Sequence, residues 1–277
     1  YEYGSGAALG GRSIDEVDCI PRFFPDNEIV RNDMLDYGFE IEYFDRHLVA
    51  MLEELERRGE LDNTVIIVTS DNGMPFPRAK ANHYEQSHHQ PLAIMWRNGI
   101  RHTGRRIADY VNFVDIAPTI LDMAGIEPDS MHPMSGESIR PLLESDKSGR
   151  IDAKRDRIIF GRERDDYGRP ANQGYPIRGI IRDSLLYIWN LKPELYPACD
   201  PETGYAEIDG SPTKSVILDL HRSGESDFYY DLAMGKRPKE ELYDLKSDTD
   251  CMHNLADDPK YAMRKRAMRR ELLGVLR

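Results

Sequence analysis

The sequence predicts an α/β fold with a smaller α+β unit at its C-terminal end. A long amphipathic segment, residues 28–58, leads into an uncharged apolar strand, residues 64–69, and this order is half of an α/β unit. After Ser148, short strand-like segments replace long helices. We therefore divide the chain into an α/β unit, residues 1–148, and an α+β unit, residues 149–277.

The first long element is an amphipathic helix from Glu28 to Arg58. Asp26 or Asn27 can cap its N-terminus, and Gly59 stands at the C-terminal position that favours a left-handed residue. Its apolar residues recur at intervals of three and four, which predicts one buried stripe. The stripe consists of Met34, Tyr37, Ile41, Phe44, Leu48, Met51, Leu52 and Leu55.

The strand from Thr64 to Thr69 ends in the turn Ser70-Asp71-Asn72-Gly73. The strand carries no charge and is mostly β-branched, which predicts burial on both faces. Asp71 and Asn72 offer the hard oxygen ligands that Ca²⁺ and Mg²⁺ prefer, and Gly73 permits a sharp turn behind them. In open α/β sheets, ligands bind beyond the carboxyl ends of the strands, where this turn lies. The other interpretation is an Asx turn without a ligand.

Residues 74–90 form a long loop that is rich in cations and histidines. Loops longer than about 12 residues within a compact domain are often functional. Lys80 follows closely enough for its ammonium group to lie beside a cation at Asp71, and the two together would stabilise a tetrahedral oxyanion. The loop histidines either contact substrate or are plain exposed groups. They are His83, His88 and His89.

The remaining elements follow from local patterns. Leu92–Trp96 is a second buried strand, and Ile107–Val111 is a candidate third strand. Asn112 to Asp115 begins a helix that ends near Gly125. In the second unit, the strand candidates are residues 157–160, 177–182 and 185–189, with Asp183-Ser184 as a hairpin turn, and residues 261–276 form the last helix.

Composition excludes some classes of function. The net charge of −12 over 277 residues argues against general nucleic-acid binding, although a local basic cluster could still bind a small anion. No apolar run approaches the roughly 18 residues of a membrane-spanning helix. Cys19, Cys199 and Cys251 are too few and too scattered for a disulfide framework or a zinc site.

Four ordered motifs make the sequence resemble the sulfatases of the alkaline-phosphatase-like superfamily. The central motif joins Asp71-Asn72-Gly73 to Lys80, Tyr84 and Pro91, at the offsets of that family's sulfate-binding cation, aromatic residue and strand-opening proline. The other motifs are Leu61-Asp62-Asn63-Thr64, residues 114–122, and Glu241-Leu242-Tyr243-Asp244 with Asn254-Leu255-Ala256. Residues 71–77 and 175–178 are most similar to the heparan N-sulfatases (N-sulfoglucosamine sulfohydrolases).

The resemblance implies the alkaline-phosphatase-like central sheet with flanking helices, and hydrolysis of a sulfate ester or sulfamate on a sulfated saccharide through a formylglycine nucleophile. It implies that Asp71 and Asn72 bind Ca²⁺, with Mg²⁺ as the alternative. Lys80 would bind a sulfate oxygen, and Asp71 could also orient the attacking hydroxyl. Glu163 and Arg164 would line the sugar pocket, unless they are a solvated charge pair. The family also implies a periplasmic, secreted or lysosomal location.

The nucleophile motif of that family, Cys-x-Pro-x-Arg, is absent. Cys19-Ile20-Pro21-Arg22 is one residue short and lies in the wrong place among the motifs, so we expect Cys19 to be an ordinary cysteine. We expect a C-terminal part of a sulfatase, without the N-terminal part of the fold, inactive alone and with an exposed apolar sheet edge. The alternatives are a phosphatase or phosphodiesterase of the same superfamily, or a non-catalytic fragment.

Overall fold

The computed structural model describes residues 10–127, 132–164 and 169–276, which form two antiparallel sheets and the helices around them. The helices are α1 (Glu28–Arg58), α2 (Glu85–His88), α3 (Ile116–Ala124), α4 (Arg140–Glu144), α5 (Pro212–Arg222), α6 (Phe228–Ala233) and α7 (Ala262–Val275). The strands are β1 (Ile66–Thr69), β2 (Leu92–Met95), β3 (Arg157–Arg162), β4 (Ile177–Arg182), β5 (Leu185–Asn190) and β6 (Glu240–Asp244). Among the described helices, none is long and apolar enough to cross a membrane.

Helix α1 begins and ends at the residues that the sequence predicts. The Asn27 side chain accepts a hydrogen bond from the backbone N–H of Val30 at 3.0 Å. Gly59 has a φ of 72°, the left-handed conformation that glycine adopts without steric cost, and it ends the helix. The two caps are local signals, which is why the bounds were predictable from sequence.

No residue of the predicted apolar stripe of α1 is fully buried, although Met34 and Tyr37 in the first turns are partly buried against the core. Val30 and Leu35 are buried there, and the carboxylate of Asp33 accepts the backbone N–H of Thr213 at 2.9 Å, which joins α1 to α5. Farther along, large apolar side chains are about half exposed. They are Ile41 at 51%, Phe44 at 47% and Met51 at 55%. The prediction of one continuously buried stripe is therefore wrong, because no described segment covers the outer part of the helix.

Strands β1 and β2 pair antiparallel, with Ile67 opposite Ile94. Within the described ranges, β1 has no other strand neighbour. Its first three residues are intermediate in exposure and Thr69 is exposed, so the prediction that this strand is buried on both faces is wrong. The expected exposed apolar sheet edge is consistent with this pairing.

The candidate third strand, residues 107–111, is a single bridge between Ile107 and Gly149. Asp109 lies in its middle and accepts the backbone N–H groups of Ile151 and Asp152 at 2.8 and 2.7 Å. This side chain and a few separate backbone hydrogen bonds, such as that from the N–H of Ala108 to the carbonyl of Gly149, hold the segment without a continuous ladder, so the strand prediction is wrong.

The start of α3 follows its predicted signals. Asn112 caps a short 3₁₀ turn, residues 113–115, and the backbone N–H of Asn112 donates to Asp115 at 3.0 Å. Pro118 lies in the first turn of α3, where its missing N–H costs nothing. Gly125 ends the helix with a φ of 68°.

The second sheet is a four-stranded antiparallel meander in the order β3-β4-β5-β6. Asp183 and Ser184 join β4 to β5 with φ values of 50° and 66°, which are typical of the tight turns that suit the twist of a hairpin. This confirms the predicted hairpin. Helix α7 covers one face, where Met268 and Leu272 pack with Ile180 and neighbouring residues.

A buried carboxylate joins this sheet to the loop that follows β1. Glu241 of β6 accepts hydrogen bonds from the hydroxyl groups of Tyr84 at 3.0 Å and Tyr243 at 2.7 Å. The side-chain amide of Asn190 donates to its other oxygen at 2.7 Å. Glu241 is 3% exposed, so water cannot solvate its carboxylate. These three donors and nearby cationic groups stabilise it instead.

The three cysteines are free. Cys199 and Cys251 are buried, and burial raises the pKa of each thiol, to about 11 for Cys199 and about 12 for Cys251. Cys19 is exposed in the segment before α1. Thiols with such high pKa values remain protonated at neutral pH and are poor nucleophiles.

Candidate active site

Asp71 and Asn72 lie directly beyond the end of β1. Asp71 is exposed and Asn72 is partly buried, and the Ser70 hydroxyl donates to the backbone carbonyl of Asn72 at 2.8 Å. Gly73 is buried, and a Cβ atom there would overlap the backbone carbonyl oxygen of Gln86 in α2. Glycine is thus required here because α2 approaches the backbone closely, and not because the turn is left-handed.

The loop after Gly73 is fixed by a buried arginine. Arg78 has a φ of 68°, a left-handed conformation that is uncommon for a residue with a side chain. Its guanidinium lies 3.9 Å from the centre of the Tyr84 ring and donates to the backbone carbonyls of Leu232, at 2.7 Å, and Cys251. These contacts hold the loop against the second sheet and α6.

Lys80 lies at the edge of this arrangement. Its Nζ atom is 2.7 Å from Oδ2 of Asp209, and both side chains are partly exposed. Lys80 does not line the cleft described below. An ammonium group has three donors, so this ion pair leaves it able to bind a second oxygen.

His83 and His88 form a hydrogen-bonded pair. Nδ1 of His83 and Nε2 of His88 are 2.7 Å apart, and the two rings are nearly parallel. Burial lowers the pKa of His83 well below its usual range and that of His88 to about 4, and the positive charge of Arg162 acts in the same direction. Both imidazoles are therefore neutral at pH 7.

His89 differs from these two. It is exposed, and its Nδ1 atom lies 2.6 Å from the carboxylate of Glu85. This hydrogen bond raises the pKa of His89. Near pH 6, His89 is therefore mostly protonated while His83 and His88 are neutral, although all three line the same cleft.

An open cleft of about 1480 Å³ runs past the end of β1. Asp71, Asn72 and the three histidines line it, together with part of the second sheet. From β3, the lining residues are Ile158, Phe160 and Arg162, which alternate along the strand and so share one face. This combination of a concave surface, oxygen ligands and titratable groups is typical of an active site.

Glu163 and Arg164 lie outside the lining of the cleft. Glu163 forms an ion pair with Arg178, and Arg164 donates to the side chain of Asn172. Their predicted role in sugar binding stays a prediction. Sequence reasoning missed Arg162, although the period of two along β3 places it on the same face as Phe160.

The donor chemistry of Asp71 and Asn72 fits a hard divalent cation in part. Neither side chain has a hydrogen bond or ion pair with any described residue, so their oxygens remain available in the cleft. Ca²⁺ takes six to eight oxygens, so these two residues would supply only part of a coordination shell. Among the residues that the structure describes, no group of three or more His, Cys, Asp or Glu could hold a metal ion.

The fold can be compared with solved structures. A structure described as a complex with its substrate, D-glucosamine-2-N,6-O-disulfate, matches with a TM-score of 0.61 at 23% identity, over 90% of this chain and 42% of that chain. The chain accordingly has an α/β fold of the kind found in that structure and corresponds to less than half of it, and this confirms the predicted α/β class.

Sequence comparison finds similarity to sulfatases. Residues 15–126 match the family model described as Sulfatase. The chain is 30% identical to an ulvan-active sulfatase of Formosa agariphila, over 94% of this chain and 41% of the relative. It is 27% identical to the N-sulphoglucosamine sulphohydrolase of Homo sapiens, over 98% of this chain and 54% of the relative. Residues 15–126 therefore match a sulfatase domain, and the chain spans about half the length of these curated relatives.

Proposed function

We propose that this chain forms one wall of the active site of a sulfatase that removes sulfate from a sulfated sugar, with N-sulfoglucosamine of the heparan type as substrate. The observation that carries the proposal is the pair of available oxygens, on Asp71 and Asn72, in the cleft at the end of β1. The match of residues 15–126 to the sulfatase family model and the name of the human relative support the same reaction.

In this proposal, Asp71 and Asn72 hold Ca²⁺, with Mg²⁺ as the alternative ion. A bound cation would polarise the sulfate group and favour the ionised form of an attacking hydroxyl. Asp71 would also orient that hydroxyl through its second oxygen. Their availability in the cleft supports these roles, because a carboxylate and an amide without protein partners can turn toward a ligand.

Lys80 would bind one sulfate oxygen and offset negative charge as the sulfur is attacked. Its ion pair with Asp209 leaves donors for this purpose and limits the range of positions that Nζ can occupy. His83 and His88, neutral at pH 7, would contact the sugar or the leaving group, and His89 would contact it from the rim of the cleft. Glu163 and Arg164 would bind more distant parts of the saccharide.

The nucleophile in this proposal is a formylglycine that the 277 residues do not contain. We therefore propose that this chain binds ligands and is inactive alone. Sulfate release from N-sulfoglucosamine by the 277-residue chain would contradict this part of the proposal. A longer polypeptide that includes the family motif Cys-x-Pro-x-Arg should release sulfate.

The choice of substrate is tested with the same longer polypeptide. Faster sulfate release from N-sulfoglucosamine than from O-sulfated glucosamine or an ulvan oligosaccharide supports the heparan assignment. Faster sulfate release from the ulvan oligosaccharide would contradict the proposed heparan-type substrate but would leave the proposed sulfatase reaction unchanged. Release of phosphate from a phosphate monoester, without sulfatase activity, would favour the phosphatase alternative.

The metal assignment is tested on the chain itself by calorimetric titration with Ca²⁺ and Mg²⁺. Asp71→Asn removes a charged ligand and should weaken Ca²⁺ binding at least about tenfold. Asp45→Asn, on the exposed side of α1, is the matched control and should bind as the wild type does. Equal affinity in wild type and Asp71→Asn would refute the metal role.

A further inference from the structure

Helix α7 is basic, although the chain as a whole is acidic. The helix and the turn before it, residues 259–276, contain six Lys or Arg side chains and one acid, Glu271, whereas the net charge of the chain is −12. At physiological ionic strength, exposed charges interact over about 8 Å. A local cluster of cations can therefore attract an anion in spite of the net negative charge.

Two of these cations are held against the second sheet. Lys265 and Arg269 lie 3.4 and 3.7 Å from the carboxylate of Glu240 in β6. The carboxylate of Glu271 forms ion pairs with an arginine from each of β3 and β4, at 2.9 and 2.8 Å. Both of these acids are therefore already paired with other cations.

Three further arginines lie on the exposed side of α7, which we call the arginine face: Arg264, Arg266 and Arg270. Within the part of the chain that the structure describes, none of the three forms an ion pair. Arg266 and Arg270 are four positions apart, so their side chains are neighbours on the helix surface. The other exposed residues of this side are uncharged, and they are Met263, Ala267 and Gly274.

The spacing of these charges suits an extended ligand. Arg264 and Arg270 are six positions apart, which is about 9 Å along the helix axis. A linear polyanion can contact charges spread over this length, whereas one small anion contacts fewer of them. Two like charges four residues apart destabilise a helix slightly, and a bound polyanion would remove that cost.

The arginine face and the cleft lie on opposite sides of the second sheet. Met268 and Leu272 of α7 pack with Ile159 of β3, while Ile158 and Phe160 of the same strand line the cleft. Successive side chains of a strand point to opposite faces, so α7 covers the face that turns away from the cleft. The apolar side of α7 is used in this packing, so it cannot enter a lipid bilayer.

We propose that the arginine face of α7 binds a sulfated polysaccharide, at a surface that is separate from the cleft. The choice of partner rests on the proposed function, because such a polymer is the longer form of the proposed substrate. A planar guanidinium can donate to two oxygens of one anionic group, which suits a row of sulfates. The face would hold the polymer on the protein while another part of it occupies the cleft.

The test measures binding of a fluorescently labelled heparan sulfate oligosaccharide to the 277-residue chain, by anisotropy at several salt concentrations. The triple variant Arg264→Gln, Arg266→Gln and Arg270→Gln should bind it at least about tenfold more weakly than wild type. Its affinity should also depend less on salt, because fewer counterions are released. N-sulfoglucosamine in saturating Ca²⁺, followed by ligand-detected NMR, should bind both proteins within about twofold, because the cleft is unchanged.

The matched control is the triple variant Arg57→Gln, Arg58→Gln and Arg97→Gln. It changes the net charge by the same amount, but each of these arginines has an acidic partner. Its affinity for the oligosaccharide should lie within about twofold of wild type. Lysine at the three α7 positions keeps the charge and should retain most of the binding. Glutamine favours helix, so urea midpoints of the α7 variants should stay close to wild type.

The possible results separate this inference from the proposed function. If the α7 glutamine variant binds the oligosaccharide as tightly as the matched control does, the polysaccharide site is overturned and the proposed function stands. Tighter binding of single-stranded DNA, or of vesicles with anionic lipids, than of the oligosaccharide would overturn the choice of partner. Oligosaccharide binding that depends on α7, in a wild-type chain that does not bind N-sulfoglucosamine, would support the site and count against the proposed function.

Discussion

Replacing Glu241 with glutamine tests whether the buried carboxylate supports the loop that lines the cleft. Glu241→Gln keeps the shape of the side chain and removes its charge. One amide oxygen can still accept from Tyr84 and Tyr243, but these become neutral hydrogen bonds. The new amide NH₂ faces the NH₂ of Asn190, so that third hydrogen bond is lost.

The expected cost follows from these three contacts. A hydrogen bond to a charged group contributes about 1.5–3 kcal/mol, against about 0.5–1.5 kcal/mol for a neutral one, so two weakened bonds cost about 1 kcal/mol each. A buried donor left without an acceptor costs a further 1–3 kcal/mol or so. The free energy of unfolding should therefore fall by about 3–5 kcal/mol.

Urea unfolding, followed by circular dichroism and tryptophan fluorescence, measures this change. With an m value of about 3 kcal/mol/M, the midpoint should fall by about 1–1.7 M. Glu225→Gln, an exposed glutamate beyond α5, is the matched control and should lie within about 0.5 kcal/mol of wild type. A Glu241→Gln midpoint equal to that of Glu225→Gln would refute the claim that the buried charge stabilises the loop.

Three further predictions concern the cleft and the core. The unfolded state binds protons at His83 and His88 more readily than the folded state does, so stability should rise with pH from about 4 to 6.5. His88→Gln should flatten that slope in urea titrations between pH 5 and 7, and an unchanged slope would contradict the lowered pKa. Gly73→Ala, whose Cβ meets the carbonyl of Gln86, should lower the melting temperature and weaken Ca²⁺ binding; an unchanged melting temperature would contradict the close approach. Leu272→Ala should cost about 2–5 kcal/mol by urea unfolding with Ca²⁺ affinity retained, and a loss below about 1 kcal/mol would argue against its packing under the sheet.

Much of the fold was predictable because its signals are local. Asn27 and Gly59 fix the ends of α1 by contacts within one turn, and the two residues of the β4–β5 hairpin adopt the conformation that their position requires. Asp71 and Asn72 could be placed in the cleft because a strand and its end are readable from a short stretch of sequence.

The rest depends on contacts between distant residues. The partner of Lys80, Asp209, lies 129 positions away, and no local pattern predicts that pair. Arg162 lines the cleft because β3 extends through it, whereas the sequence suggested a strand ending at Phe160 and drew attention to Glu163 and Arg164. The spacing of apolar residues along α1 indicates that they share one face of the helix. It carries no information on whether another segment covers that face.

The anchoring of Arg78 has a consequence for synthesis on the ribosome. The carbonyl groups that fix its guanidinium belong to Leu232 and Cys251, which are 154 and 173 residues farther along the chain. At about 5–20 residues per second, the loop waits roughly 10–35 seconds after Arg78 is added before both acceptors exist. The loop beside Asp71 and Asn72 is thus translated early, but its anchoring hydrogen bonds can form only late in synthesis. During that interval the nascent loop is open to chaperones and proteases.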